Sequence, residues 1–354
     1  MLKAAKPFFC LLLLACGQAG LVHAQSSLPS DRPAADAVTD MAPVLVSGVQ
    51  PGPGLWKVSQ GGHVMWVLGT VSPLPQHVQW KASEVATVIA ASQQVLEPPG
   101  FAIGARVGFF GKLFLLPSMI GLRKNPDGAR LEQVLPPALY ARWEADRRKY
   151  LGDSHRLERL RPIFAGRELY EVAIKKAGLT VDGGVQGIVN EIAGKHGVAV
   201  VDPGYQLILD DPRAAAKAFK ESSMDDVGCL SQIIDVIGSD MAQAATRANA
   251  WSVGDIDALR GTLATTQEDS CLAAISGAGF ASKLGKLDVQ QRIDAAWLDA
   301  AKKALKNNQQ TFASLPMEQL LSTDGYLARL RREGYAVQAP DEQQLGTVSD
   351  QATH

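Results

Sequence analysis

Apolar residues along this chain recur with two different periods. From Leu55, "LWKVSQGGHVMWVLGTV" alternates and then turns almost wholly apolar. That predicts two strands joined at Gly61-Gly62, the second covered on both faces. "WKASEVATVIAASQQ" places Val85, Val88 and Ile89 on one side of a helix. "QVLEP" reads as a short strand ending in Glu97 and stopped by Pro98-Pro99. From Leu131 the period becomes helical through "LEQVLPPALYARWEADRRKY" and "HRLERLRPIFAGRELYEVAIKKAG". "GGVQGIVNEIAGKHG" is a helix closed by Gly197, and "VAVVD" a buried strand. Ser223 is positioned to cap a helix whose apolar stripe runs Leu230, Ile233, Ile234, Ile237, Met241, Ala245. "WSVGDIDALRGTL" turns at Gly254 and starts a helix at Asp255. "QTFASL" is a strand, "STDGYLARLRREGYAVQAP" a capped helix stopped at Gly334 and followed by a last strand. Strands near both ends predict an α/β (α+β) fold. Its mixed central sheet is built from N- and C-terminal strands and covered by many helices, including a long central helical region.

The less regular stretches set the boundaries. Lys3 and Lys6 precede the apolar run "PFFCLLLLAC", and Val22-His23-Ala24 offers a small-residue cleavage site. Residues 1–24 therefore read as a signal peptide cleaved after Ala24, giving a periplasmic or secreted protein. The run is too short to span a bilayer. An alternative is a lipoprotein at Cys16, which follows the lipobox-like "LLA"; membrane association is expected only then. Residues 25–50, rich in Pro, Ser, Asp and Ala, read as a flexible tether. Residues 51–338 form a single domain, and 339–354 a polar tail. Inside it, 101–122 is unusually apolar but interrupted by glycines, Lys112 and Pro117. It reads as a core-covering or partner-binding flap rather than a membrane hairpin.

Charge and composition then narrow the function classes. The 354 residues carry a formal charge of −1, so no basic footprint for nucleic acid exists. Cleavage would remove Lys3, Lys6 and no acid, and would leave Cys229 and Cys271. In an oxidising compartment those two are expected to pair; the alternative is two buried free thiols. There is no phosphate-binding loop, dinucleotide fingerprint, nucleophile elbow or His-Glu-x-x-His. A Ser72–His77 dyad would need a geometry that spacing alone does not guarantee.

"GLWKVSQGGHVMWVLGTVSPLP…VLEPP" resembles the opening of TraB/GumN (TraB/PrgY/GumN) proteins, relatives of the Tiki proteases. The resemblance continues through "LERLRPIFAGRELYEVAIKKAGL", "GGVQGIVNEIAGKHGVAVVDPGYQL" and "ANAWSVGDIDAL", and ends in "TFASLPMEQLLSTDGYLARLRREGYAV". It implies two Gly-x-x-His motifs and a glutamate at a shared site, with metal-dependent peptidase chemistry. Two imidazoles and a carboxylate would hold a divalent metal that polarises a carbonyl and acidifies water. Here the first motif reads Gly69-Thr70-Val71-Ser72, and the second Pro316-Met317-Glu318-Gln319. Only Glu97 stands at the third position. The cleft positions are therefore Gly69, Ser72, Glu97 and Gln319, with Arg161, Asp202 and Glu318 as accessory candidates. No residue is assigned as catalytic or metal-binding, and no cofactor is expected. Glu97, Asp202 and Glu318 offer oxygen ligands for a hard cation as the alternative; Arg161 is alternatively an ion-pair partner for Glu97. The resulting expectation is an exported pseudo-enzyme binding a peptide, glycan or envelope partner, the alternative being a metal-dependent hydrolase or peptidase with altered ligands.

Overall fold

A computed structural model describes residues 48–76, 78–105, 120–181, 184–221, 226–262 and 289–342. Their strands are β1 (Leu55–Gln60), β2 (His63–Thr70), β3 (Leu74–Pro75), β4 (Gln94–Leu96), β5 (Phe101–Ala105), β6 (Leu179–Thr180), β7 (Ala199–Val201), β8 (Tyr205–Leu209), β9 (Gln310–Pro316) and β10 (Ala336–Gln338). The principal sheet has the order β10-β1-β2-β9-β4-β7. β1 is antiparallel to β10 and β2, whereas β2, β9, β4 and β7 run parallel. The mixed sheet thus draws on both ends of the domain, and its central strand β9 arrives late in the chain. Two small sheets flank it, β3 with β6 and β5 with β8.

The helices are α1 (Ser83–Ala90), α2 (Leu131–Val134), α3 (Pro137–Leu151), α4 (Pro162–Lys176), α5 (Val185–His196), α6 (Pro212–Glu221), α7 (Asp226–Val253), α8 (Ile256–Thr262), α9 (Val289–Asn307), α10 (Met317–Leu321) and α11 (Tyr326–Arg332). Pro137 and Pro162 each open a helix, where a missing N–H costs nothing. The buried residues fall into two clusters. One surrounds the sheet and includes Trp251, Trp297 and Phe312; the other joins α3, α4 and the N-terminal half of α7 around Trp143, Leu169 and Ile233. No helix of the described residues is long and apolar enough to cross a membrane.

Local expectations hold where the period is long. Val85 and Ile89 are buried on α1, and Gly61, Gly62, Gly197 and Gly334 all take positive φ at turns or helix ends. On α7, Leu230, Ile233, Ile234 and Ile237 are buried, but the stripe continues through Ala244 and Ala248 rather than Ala245. A straight helix with 3.6 residues per turn shifts its buried face over 28 residues. One expectation fails. "VAVVD" is not a buried strand: Ala199, Val200 and Val201 are exposed on β7, the sheet's edge. An apolar run of four does not reveal whether its strand has neighbours on both sides. Ser223, His77, Cys271, residues 1–47, 106–119 and 343–354 lie outside the described residues.

Candidate functional site

Because β2, β9, β4 and β7 are parallel, their carboxyl ends open on one edge of the sheet. In open α/β sheets such an edge is where ligand crevices form. Register makes the placement specific. Leu68 pairs with Ser314, Gly69 with Leu315 and Thr70 with Pro316, while Leu96 pairs with both Ala313 and Val201. The chain therefore leaves the sheet here at Val71-Ser72, at Met317-Glu318-Gln319, at Glu97 and at Asp202. Neighbouring strands are about 4.8 Å apart, so β2, β9 and β4 bring three of these exits within roughly 10 Å across the sheet.

Gly69 is buried, and its carbonyl accepts a 2.8 Å hydrogen bond from Trp251 Nε1. A Cβ at this position would stand 2.3 Å from Met317 Cε and 2.8 Å from Leu320 Cδ1. The glycine is what allows α10 to pack onto the end of β2. Ser72 is exposed, and its hydroxyl donates to the Val181 carbonyl at 2.5 Å. The Ser72-Pro73 peptide is cis. The hydroxyl thus serves as a tie between this loop and the β6 segment, whose Leu179 and Thr180 pair with Pro75 and Leu74.

Glu97 is held on three sides. Its N–H donates to Val201 O at 3.0 Å, its carbonyl accepts from Trp297 Nε1 at 3.0 Å, and its Oε1 accepts from Asn190 Nδ2 at 3.0 Å. Asn190 Oδ1 in turn accepts from Gln186 Nε2 at 2.9 Å. Residues 186 and 190 are one helical turn apart, so α5 presents both amides on one face. The sequence carried this signal as an i, i+4 polar pair in "VQGIVNEI", but nothing local pointed it at Glu97. Trp251 and Trp297 were equally unannounced as tethers. Each donates its indole N–H to the backbone of a motif position, from helices far along the chain.

Gln319 lies on the one-turn helix α10 and is half-buried. Its carbonyl is so closely approached that a Cβ at Gly325 would sit 1.9 Å from the oxygen. Glu318 lies beside it on the same helix.

Two accessory candidates have other work. Arg161 does not pair with Glu97: its Nε donates to Asp226 Oδ2 at 2.6 Å and its Nη1 to Phe219 O at 3.0 Å. That pair is buried and joins the starts of α4 and α7, because a desolvated guanidinium is held best by a carboxylate at close range. Asp202 is exposed and closes its own turn, with Oδ1 accepting from Gly204 N at 2.7 Å. Among the described residues no three His, Cys, Asp or Glu side chains gather as a metal-ligating group. Glu97, Asp202 and Glu318 therefore do not form the oxygen-ligand triad considered from sequence. A neutral serine hydroxyl and a glutamine amide are weak ligands for a transition metal, so the residues present do not fit the ion that the resemblance implies.

No curated protein and no solved structure matches the chain. The model of one family, described as TraB/PrgY/gumN, matches residues 54–339, which include every motif position described above. The chain belongs to the TraB/PrgY/gumN family.

Proposed function

We propose that this protein is an exported pseudo-enzyme that uses the crevice at the carboxyl ends of β2, β9 and β4 to bind a peptide, glycan or envelope partner. The observation that carries the reading is Ser72. It stands where the resemblance places a metal-ligating imidazole, and it offers only a neutral hydroxyl, a weak ligand for a transition metal, tied to Val181 O. Glu97, the remaining family ligand, is held by an amide relay from α5, and no lysine, arginine or histidine among the described residues forms an ion pair with it. A carboxylate beside two amides supplies acceptors and donors suited to hydroxyl or amide groups of a ligand. Export is supported by the lysines, apolar run and cleavage site of residues 1–24, and by the two cysteines left after cleavage, of which Cys229 is one. Cys271 is the other cysteine expected to persist after cleavage.

Restoring the lost ligands tests the reading. The triple variant Ser72→His, Gln319→His, Pro316→Gly supplies two imidazoles and frees the backbone at the end of β9. Calorimetry with Mn²⁺, Co²⁺ and Zn²⁺ should show no tight binding by the natural protein and measurable binding by the variant. Stoichiometric tight binding by the natural protein would overturn the pseudo-enzyme and favour a hydrolase with altered ligands. Equal weakness in both would remove the case for a former metal site.

A further inference from the structure

A cleft lies in the helical part of the molecule, away from the motif positions in sequence. It has a volume of about 330 Å³, at the small end of ligand pockets. Leu157 and Leu160 contribute its apolar lining, and Arg123, Lys124, Arg156 and Glu168 its charge. The segment bearing Arg123 and Lys124 is tied down by backbone hydrogen bonds, Arg161 N to Arg123 O at 2.9 Å and Asn125 N to Arg159 O at 3.0 Å. Lys124 also bridges Leu160. The cations are therefore presented by fixed backbone.

Their charges do not cancel. Glu168 accepts from Arg123 Nη2 at 2.5 Å and from Arg156 Nη1 at 3.2 Å. The two guanidiniums hold its carboxyl below the usual carboxylate range, despite an opposing contribution from burial. Lys124 has no acidic partner among the described residues. Three cations thus face one carboxylate, leaving two positive charges. The Arg123 guanidinium also lies over the Phe164 ring at 5.4 Å, which orients its plane. Each arginine uses one N–H group toward Glu168 and keeps others to offer, and Lys124 adds three more donors.

We propose that this cleft binds a phosphate group, free or carried on a lipid. A phosphate monoester carries about −1.5 to −2 charge at neutral pH and three strong acceptor oxygens, which matches two uncompensated charges and forked donors. Glu168 acts as the internal competitor. It fills the arginine forks in the absence of a ligand, and an incoming phosphate shares or displaces it.

Because Glu168 opposes the ligand, removing its charge has the opposite effect from removing a cation. Calorimetry with inorganic phosphate on the purified protein should show saturable binding, and Lys124→Gln with Arg156→Gln should weaken it at least tenfold. Glu168→Gln should strengthen it several-fold. Glu171→Gln makes the same change in net charge one turn further along α4, at an exposed pair with Arg167, and should leave affinity unchanged. Co-sedimentation with phosphatidylcholine vesicles, with and without phosphatidic acid, distinguishes the sources. Pelleting that needs phosphatidic acid, Lys124 and Arg156, without saturable binding of free phosphate, assigns the site to a lipid phosphate. Binding of neither probe, binding indifferent to Lys124 and Arg156, or equal effects of the Glu168 and Glu171 variants would overturn the proposal.

Discussion

A methyl group at position 69 would meet the flexible end of Met317, whereas one at 325 would meet the backbone carbonyl of Gln319. The first neighbour can move and the second cannot without shifting α10. Gly69→Ala is therefore expected to cost about 1–2 kcal/mol and Gly325→Ala about 3 kcal/mol or more, read as urea midpoints at constant slope. Both glycines have a packing reason that is independent of any ligand chemistry at the site. Trp251→Phe keeps most of the packed ring but leaves Gly69 O without its 2.8 Å donor. A loss of about 1–2 kcal/mol is expected. Glu144 shows a pH effect of single residues. Hydrogen bonds from Arg147, then from Arg148, lower its pKa to about 2 against the cost of burial. A depressed carboxylate stabilises the fold fully above its unfolded pKa of about 4.3 and loses that contribution as pH falls toward 2. Glu144→Gln should flatten the acid limb of the stability profile over that window, with a loss of about 1–2 kcal/mol at neutral pH.

Between elements, buried polar pairs tie together helices that apolar faces bring into contact. Arg161 and Asp226 join the starts of α4 and α7 with side chains 6% and 9% exposed. Further along the same helices, Tyr170 OH donates to Asp240 at 2.7 Å, and Arg247 Nη2 meets Asp240 at 2.8 Å. Burial, then the neighbouring Asp240, pushes the Tyr170 hydroxyl far above its usual range, so it remains a donor. Asp226→Asn leaves a buried guanidinium with its ionic partner removed, and is expected to cost about 3 kcal/mol. Arg142→Gln at the exposed Arg142–Asp235 pair should cost under about 1 kcal/mol. Equal losses in the two variants, measured by chemical denaturation, would contradict this ranking.

At the scale of the molecule, the sheet is assembled from distant segments. β9 enters between β2 and β4, and β10 pairs with β1, so neither the sheet nor its carboxyl edge is complete until the C-terminal strands arrive. The helical cluster around Trp143, by contrast, is built between residues 131 and 244. Cys229 is buried in that cluster. Its expected pairing with Cys271 would constrain the helical part and contribute roughly 4 kcal/mol in the chain-entropy model. If residues 1–24 are removed on export as proposed, thiol titration of the denatured, unreduced remainder should find no reactive cysteine, and two reactive thiols per chain would refute the pairing.

Features governed by near neighbours in the chain were decided by the sequence alone. Gly61-Gly62 turns the β1–β2 hairpin, Gly197 and Gly334 end helices, and Leu230 to Ile237 form one buried stripe, because these depend on residues at most a few positions apart. The motif positions were legible too, through the resemblance of whole segments to a family. Tertiary structure alone decided what depends on remote partners. Val200 and Val201 look like core until β7 proves to be an edge. Arg161 turns to Asp226, and Glu97 receives Asn190 from 93 positions away and Trp297 from 200. A side chain's period in the sequence says which face it occupies, but a hydrogen-bond partner is chosen by strand order and helix docking. Those follow from burying the whole apolar surface at once, which no local window of the chain contains.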